Sequence, residues 1–337
     1  MRLVQIQRES ERRVALVDEP NLRLIRQFNS VHELATEAII KRSKLTSLIE
    51  GNVADDTLDY DAVYNGASRW QLIVPLDHPG GPAHTLVSGT GLTHLGSARD
   101  RQAMHKNADA DVEKNLTDSM KMFRWGVESG RPAPGEIGVA PEWFYKGNGS
   151  ILRPPGRPLD IPAFAEDGGE EAEIAGLYVI DDSSTPRRVG MAIGNEFSDH
   201  KFEKRNYLNL AGSKLRTCSF GPEIVIDPVF DSIEGQAKIE RGENIIWSKP
   251  IRTGEAEMCH SLQNIEHHHF KFDAHRSPGD VHVHYFGAHS LSFGDGVQLA
   301  DGDVMVIQFD GFGRALRNPV RLVGKESNRL LGAFPLE

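Results

Sequence analysis

Apolar residues recur along this chain in two rhythms, and the change from one to the other divides it. Near the start, Arg13-Val14-Ala15-Leu16-Val17 is a short run of strand type. From Ser30 onward, Val31, Leu34, Ala38 and Ile39 keep a helical period, Ser30 and Glu33 have capping-box spacing, and Gly51 stands where a C-terminal stop belongs. One helix is therefore predicted up to Gly51. Leu72-Ile73-Val74-Pro75 and the Pro/Gly-rich His78-Pro79-Gly80-Gly81-Pro82 then mark a strand end and a linker. They place a boundary between a small α+β unit at 1–83 and a larger domain at 84–337. A second helix is predicted over 108–129, where Val112, Leu116, Met120, Phe123 and Val127 recur at spacings of three and four before Gly130. Beyond it the runs shorten, at 174–180, 189–193, 223–226, 281–285 and 304–309, parted by Gly, Pro and Asp. The larger domain is thus predicted to be mainly β.

Composition narrows the class. With 337 residues, 39% hydrophobic and 26% charged, the chain has the profile of a folded globular protein with room for two domains. No window reaches the roughly 18 to 20 apolar residues that span a bilayer, and MRLVQIQRESERR lacks the apolar stretch of a signal peptide, so a cytoplasmic protein without a membrane partner is expected. Cys218 and Cys259 are too few for a disulfide framework and lack zinc-site spacing, and are expected to be buried, reduced thiols. Lys+Arg of 38 against Asp+Glu of 48 gives a net charge of -10, which repels a phosphate backbone and argues against nucleic acid. A small anionic substrate stays compatible, because a bound cation can dominate the field inside a pocket.

The candidate chemistry is a set of carboxylates. Glu171 and Glu173 enter the run 174–180; in a strand, positions i and i+2 face one side, so both can aim at one point. Glu196 ends the run 189–195 and brings a third. Hard oxygen ligands in that number suit Mg²⁺, with Mn²⁺ or Ca²⁺ as alternatives, and not a thiolate-seeking metal. Alone, the acidic stretch 166–173 reads as well or better as a solvated loop. Residues elsewhere decide between the two.

Those residues are Pro141-Glu142-Trp143-Phe144-Tyr145-Lys146, Glu171-x-Glu173, Gly194-Asn195-Glu196-Phe197-Ser198, Lys214 within Tyr207–Pro222, Gly279-Asp280-Val281, Gly302-Asp303-Val304 and Gly311-Phe312-Gly313-x-x-x-Arg317-Asn318-Pro319-Val320. In this order, over roughly 85–325, the chain resembles the fumarylacetoacetate hydrolase superfamily. The resemblance implies a mixed β-roll or barrel for the catalytic domain beside the small α+β N-terminal unit, a magnesium site at Glu171, Glu173 and Glu196, a 2-keto acid substrate and a homodimer.

Two departures bear on the reaction. The family usually has Asp where Glu196 stands. In the loop Gly89–Arg99, Thr93-His94 stands at an Asn-Tyr pair and Ser97 at the catalytic His of hydrolytic members, which argues against simple hydrolysis. The residues around Lys214, Tyr-Leu before and Cys-Ser-Phe-Gly-Pro after, look most like the branch that dehydrates 2-keto-3-deoxy sugar acids. The resemblance then implies a lyase that turns such an acid, a pentonate by preference, into a 2-keto semialdehyde through an enolate, with Lys214 as base or enolate stabiliser. The alternative is a C–C hydrolase or decarboxylase of 2,4-diketo acids that recruits His94 or His105. A third reading is a binding protein that kept the fold without catalysis. Ser97, Arg99, Gly287, Ala288 and His289 are the candidate substrate contacts; an exposed salt bridge is an equal use for Arg99.

Eight of 14 histidines fall between His260 and His289. Consecutive His267-His268-His269 cannot share one face, so a metal cluster there is not expected. His282 and His284 alternate with Val281, Val283 and Tyr285, giving a strand with one imidazole face, expected to border the pocket or a subunit contact. Gly89-Thr90-Gly91 lacks the spacing and the surroundings of a dinucleotide fingerprint.

Overall fold

The computed structural model describes residues 1–96, 98–99, 117–324 and 329–336. Two open sheets carry it. The larger runs in the order β4 (Val53–Asp59), β3 (Asn21–Ile25), β2 (Glu11–Asp18), β1 (Arg2–Arg8), β13 (Ile224–Val225), β11 (Pro186–Asn195), β10 (Ala172–Ile180), β16 (Val281–Tyr285), β6 (Thr85–Gly91) and β7 (Glu142–Asn148), with the short β5 (Gln71–Leu72), β8 (Leu152–Arg153) and β12 (Cys218–Phe220) alongside. The smaller runs β15 (Asn244–Thr253), β14 (Ile233–Arg241), β17 (Val304–Phe309), β18 (Leu316–Leu322) and β9 (Leu159–Ile161). Neither strand order closes into a barrel among the described residues, so the expected roll-or-barrel takes the open form.

β10 explains how the layers stack. All nine of its residues are buried, as a strand covered on both faces requires. Ala175, Leu177 and Val179 face a core with Leu3, Val14, Leu34 and Val283, which the helix Val31–Lys41 helps to cover. Ile174 faces the other way, into a core with Phe230, Ala237 and Phe309 from the region of the second sheet. Truncating Leu177 to Ala would leave a cavity costing about 2–5 kcal/mol. Residues from the N-terminal unit share the first core, and β1 pairs with β13, Arg2 opposite Val225.

The runs 174–180, 189–193, 281–285 and 304–309 lie in β10, β11, β16 and β17, and 223–226 contains β13. The helix after Ser30 differs from expectation. Ser30 does cap it, its hydroxyl accepting from Glu33 N at 3.1 Å, but the helix ends at Lys41 because Arg42 takes a left-handed conformation and its N–H returns to Ala38 O and Ile39 O. The polar stretch Lys41–Lys44 interrupts the apolar period, and a second helix, Leu45–Glu50, reaches Gly51. Of the helix predicted over 108–129, Asp118–Ser129 is present, and its earlier part lies outside the described residues. No described helix is long and apolar enough to cross a membrane. Cys218 and Cys259 are free and buried.

Candidate active site

β10 and β11 are antiparallel neighbours, with Ala172 opposite Asn195 and Glu173 opposite Gly194. The entry to β10 therefore lies beside the exit of β11, and Glu196 N donates to Glu171 O at 3.0 Å. Strand alternation turns Glu171 and Glu173 the same way, and Glu196 joins them from the next strand. One carboxylate oxygen from each lies within 4.8 Å of the others, and the three residues are only 4%, 1% and 0% exposed. The solvated-loop reading of these glutamates is thereby excluded.

Like charges at this spacing in a buried setting resist ionisation. Glu173 is held well above the usual carboxylate range, first by burial and then by Glu196 and Glu171. Glu196 is raised by burial and by Glu171, against the pull of Lys146 and Lys214. Both lysines are fully buried. Lys214 Nζ bridges Glu171 Oε1 and Glu196 Oε2, the latter at 2.8 Å, and lies 4.7 Å from the centre of the Phe144 ring. Lys146 Nζ reaches Glu196 Oε1 at 2.6 Å and donates to Phe197 O and Lys214 O. His200 Nε2 lies 3.1 Å from Glu171 Oε1; burial depresses its basicity, but the Glu171 carboxylate outweighs that and leaves the imidazole more basic than usual.

Glu173 is the member with no lysine in contact. Its Oε2 accepts from Gly287 N at 2.7 Å, and no ion pair reaches it among the described residues. Glu173, pushed up by burial and by its two neighbours, has no cationic side chain in contact among the described residues, and all the donors are hard oxygens. A divalent cation of the magnesium type fits such a set.

Gly287, expected at the substrate side, is set by backbone geometry. Its φ is +100°, and a Cβ there would lie 2.1 Å from Thr93 Oγ1 and 2.9 Å from Thr90 O. Ala288 is buried beside it, and His289 is half-buried, its ring 6.2 Å from that of His94. His94 is enclosed, pushed down to about 3 by burial and then by His289, and its Nδ1 meets Thr93 Oγ1 at 2.9 Å. Arg99 is exposed, and Ser97 and His105 lie outside the described residues.

Glu142, Phe144, Lys146, His200 and Tyr207 have no individual role in the sequence reading. β7 brings Lys146 to Glu196 and Phe144 to Lys214, and Glu142, two residues before Phe144, lies on the same face of the strand. Glu142 is buried and accepts from Tyr207 Oη at 2.6 Å, Tyr207 standing just before the short helix Leu210–Lys214. The i, i+2, i+4 spacing within Glu142–Lys146 was the available signal. His200 offered none. Glu170, next to the centre, instead pins a loop by accepting from Ser292 N and Oγ at 2.9 and 2.7 Å.

The solved structures with this architecture include 2-keto-3-deoxy-D-arabinonate dehydratase complexed with magnesium and 2,5-dioxopentanoate, at TM-score 0.69 and 17% identity, over 96% of this chain and 99% of that one. Fumarylacetoacetate hydrolase from Exiguobacterium antarcticum follows at 0.60 and 16%, over 96% and 100%. A 5-carboxymethyl-2-hydroxymuconate delta-isomerase from Mycobacterium smegmatis matches at 0.55 and 17%, also over 96% and 100%. This chain shares the fold of these enzymes. No family model matches the sequence, and no curated protein does.

In this fold, the imidazole face of β16 is directed inward, not toward an open pocket or a subunit surface as expected. His284 is 1% exposed, lying between Ser88 Oγ and Thr90 Oγ1 of β6, each at 2.8 Å from a ring nitrogen. His269, from the helix Leu262–Phe270, stacks on it with ring centres 4.3 Å apart and reaches His282 Nδ1 at 2.9 Å. Trp143 Nε1 donates to His269 Nδ1 at 3.1 Å. Two parallel-paired strands, β6 and β16, with a helix across them close this face, which is why the imidazoles are interior.

Proposed function

We propose that the protein is a magnesium-dependent hydro-lyase that dehydrates a 2-keto-3-deoxy sugar acid, a pentonate by preference, to a 2-keto semialdehyde. The observation that carries this is the buried convergence of Glu171, Glu173 and Glu196 with Lys214 across two of them. The three glutamates would hold Mg²⁺, which when bound draws electron density from the 2-oxo group of a keto acid and acidifies its C3 protons.

The remaining work falls to side chains. Lys214 already donates to two carboxylates; a base needs a lone pair on that nitrogen, so this pairing suits an ammonium that stabilises developing negative charge. Glu142 is a buried carboxylate outside the trio, steadied at Oε2 by Tyr207, and we assign it the proton. It takes H⁺ from C3; the C3=C4 bond forms as the C4–O bond breaks, and the hydroxyl leaves as water with that proton. A proton then passes from C5 to C3, and the C5 enol ketonises to the aldehyde. Lys146 anchors Glu196, and the Gly287 N–H fixes Glu173. Residues near His289 receive the substrate chain.

The lyase is separated from a C–C hydrolase by product analysis. The metal-loaded protein is incubated with 2-keto-3-deoxypentonate and, separately, with 2,4-diketo acids. Semialdehyde from the former is expected; pyruvate alone would overturn the reading in favour of C–C cleavage. No turnover of any keto acid would favour a binding protein, whose metal site the Glu171→Ala variant would still report through lost Mg²⁺ binding.

A further inference from the structure

A cavity of about 600 Å³ lies far from the carboxylates, between the helices Val31–Lys41 and Leu45–Glu50, the start of β11 and Ile226-Asp227. Ala35, Ala38, Ile39, Leu45, Val189 and Ile226 give its lining an apolar part. Its lining also carries Arg42, Lys44, Arg187 and Arg188 against one acid, Asp227. Arg187 is held by Asp181 at 2.7 Å and Arg188 by Glu266 at 2.5 Å. Arg42 and Lys44 form no ion pair with any described residue. In a chain of net charge -10, two exposed cations without ion pairs beside this apolar lining concentrate positive charge here.

The backbone adds a second observation. Arg42 and Asp227 are both non-glycine residues in left-handed conformation, at φ 50° and 47°, and both line this cavity. Arg42 occupies the helix-terminating position where glycine is the usual residue. Strain kept in this way marks ligand sites more often than ordinary surface. The volume falls within the roughly 300–1,000 Å³ range of small-molecule pockets. Val189 in the lining stands six residues along β11 from Asn195, about 20 Å at strand rise, so this is a place separate from the carboxylate centre.

We infer that this cavity binds a small organic anion with an apolar body: the anionic head on Arg42 and Lys44, the body on Ala38, Ile39 and Val189. Carboxylates and phosphate monoesters share that chemistry.

The test uses the full native chain and 8-anilino-1-naphthalenesulfonate as the probe, an aromatic organic anion whose fluorescence rises on burial. One saturable site per chain is expected, weakening with added salt. Arg42→Gly and the double variant R42E/K44E are each expected to weaken binding tenfold or more. Arg42→Gly should melt no lower than the parent, since glycine adopts the left-handed conformation freely, so a folding defect cannot mimic the result. Displacement by phenyl phosphate or by phenylacetate would identify the head group. Absence of saturable binding, displacement by neither compound, or affinity unchanged in both charge variants would overturn the inference.

Discussion

Lys146 Nζ lies 2.6 Å from Glu196 Oε1, and both side chains are wholly shielded from solvent. A buried pair of this kind adds little net stability against an apolar substitute, but removing one partner strands the other charge. Glu196 would keep only Lys214, which it shares with Glu171, so Lys146→Met is expected to cost up to about 3 kcal/mol in denaturant unfolding. The double variant K146M/E196Q should recover much of that loss, because the carboxylate that Lys146 compensates is then neutral and Lys214 keeps Glu171. A loss under 1 kcal/mol in the single variant would mean that the pair is not formed in the folded protein.

Gly287 is expected to tolerate no side chain. Alanine there would place Cβ against Thr93 Oγ1 and Thr90 O while holding a left-handed φ. Gly287→Ala should lose about 1–3 kcal/mol, in line with other strained-backbone substitutions. It should also weaken divalent-cation binding, because the Gly287 N–H that orients Glu173 must move. A melting temperature and a cation affinity equal to the parent's would contradict this.

Acid should destabilise the fold through its buried imidazoles. Burial pushes His282 and His284 down to about 3, each further lowered by neighbouring histidines, and His260 down to about 4, further lowered by His268. Their folded values lie below the unfolded value of about 6.5, so the unfolded chain binds more protons in between. Their contribution is thus complete above about pH 6.5 and is lost as pH falls toward 3 or 4. Each adds a slope of up to about 1.4 kcal/mol per pH unit in that window. Unfolding free energy measured between pH 7 and 4.5 should fall, and His284→Gln should flatten the slope; an equal slope in that variant would place the proton uptake elsewhere.

Glu142→Gln should lower kcat by a factor of about 10² to 10⁴, the usual worth of a positioned acid-base group, with Mg²⁺ affinity unchanged. Tyr207→Phe, which removes the hydrogen bond to Glu142 Oε2, should have a smaller effect in the same direction. A Glu142→Gln variant with parental kcat would take the proton away from this residue.

The order of motifs carried much of the fold, because β17 is a short, largely apolar run between Gly-Asp pairs and β16 alternates Val and Tyr with His at the strand period of two. β14 and β15 went unread: Glu234, Gln236, Lys238 and Glu240 give β14 a polar face, and most of β15 is exposed or half-exposed, so only partner strands reveal them. Gly89-Thr90-Gly91, placed by resemblance in the loop Gly89–Arg99, closes β6 instead, because β7 pairs with all three residues and β16 with Gly89. At the site, Glu171, Glu173 and Glu196 were legible from strand alternation and order. His200 was not, since its contact with Glu171 spans 29 residues and depends on where the helix His200–Arg205 begins.

The most direct test is a calorimetric titration of Mg²⁺ into chelator-treated protein, run on the parent and on Glu173→Gln. The parent is expected to bind one ion per chain, and Glu173→Gln, which keeps the shape but removes the charge without a lysine partner, should lose tenfold or more in affinity. No saturable heat from the parent, or equal affinity in the variant, would contradict a metal centre built on these three glutamates.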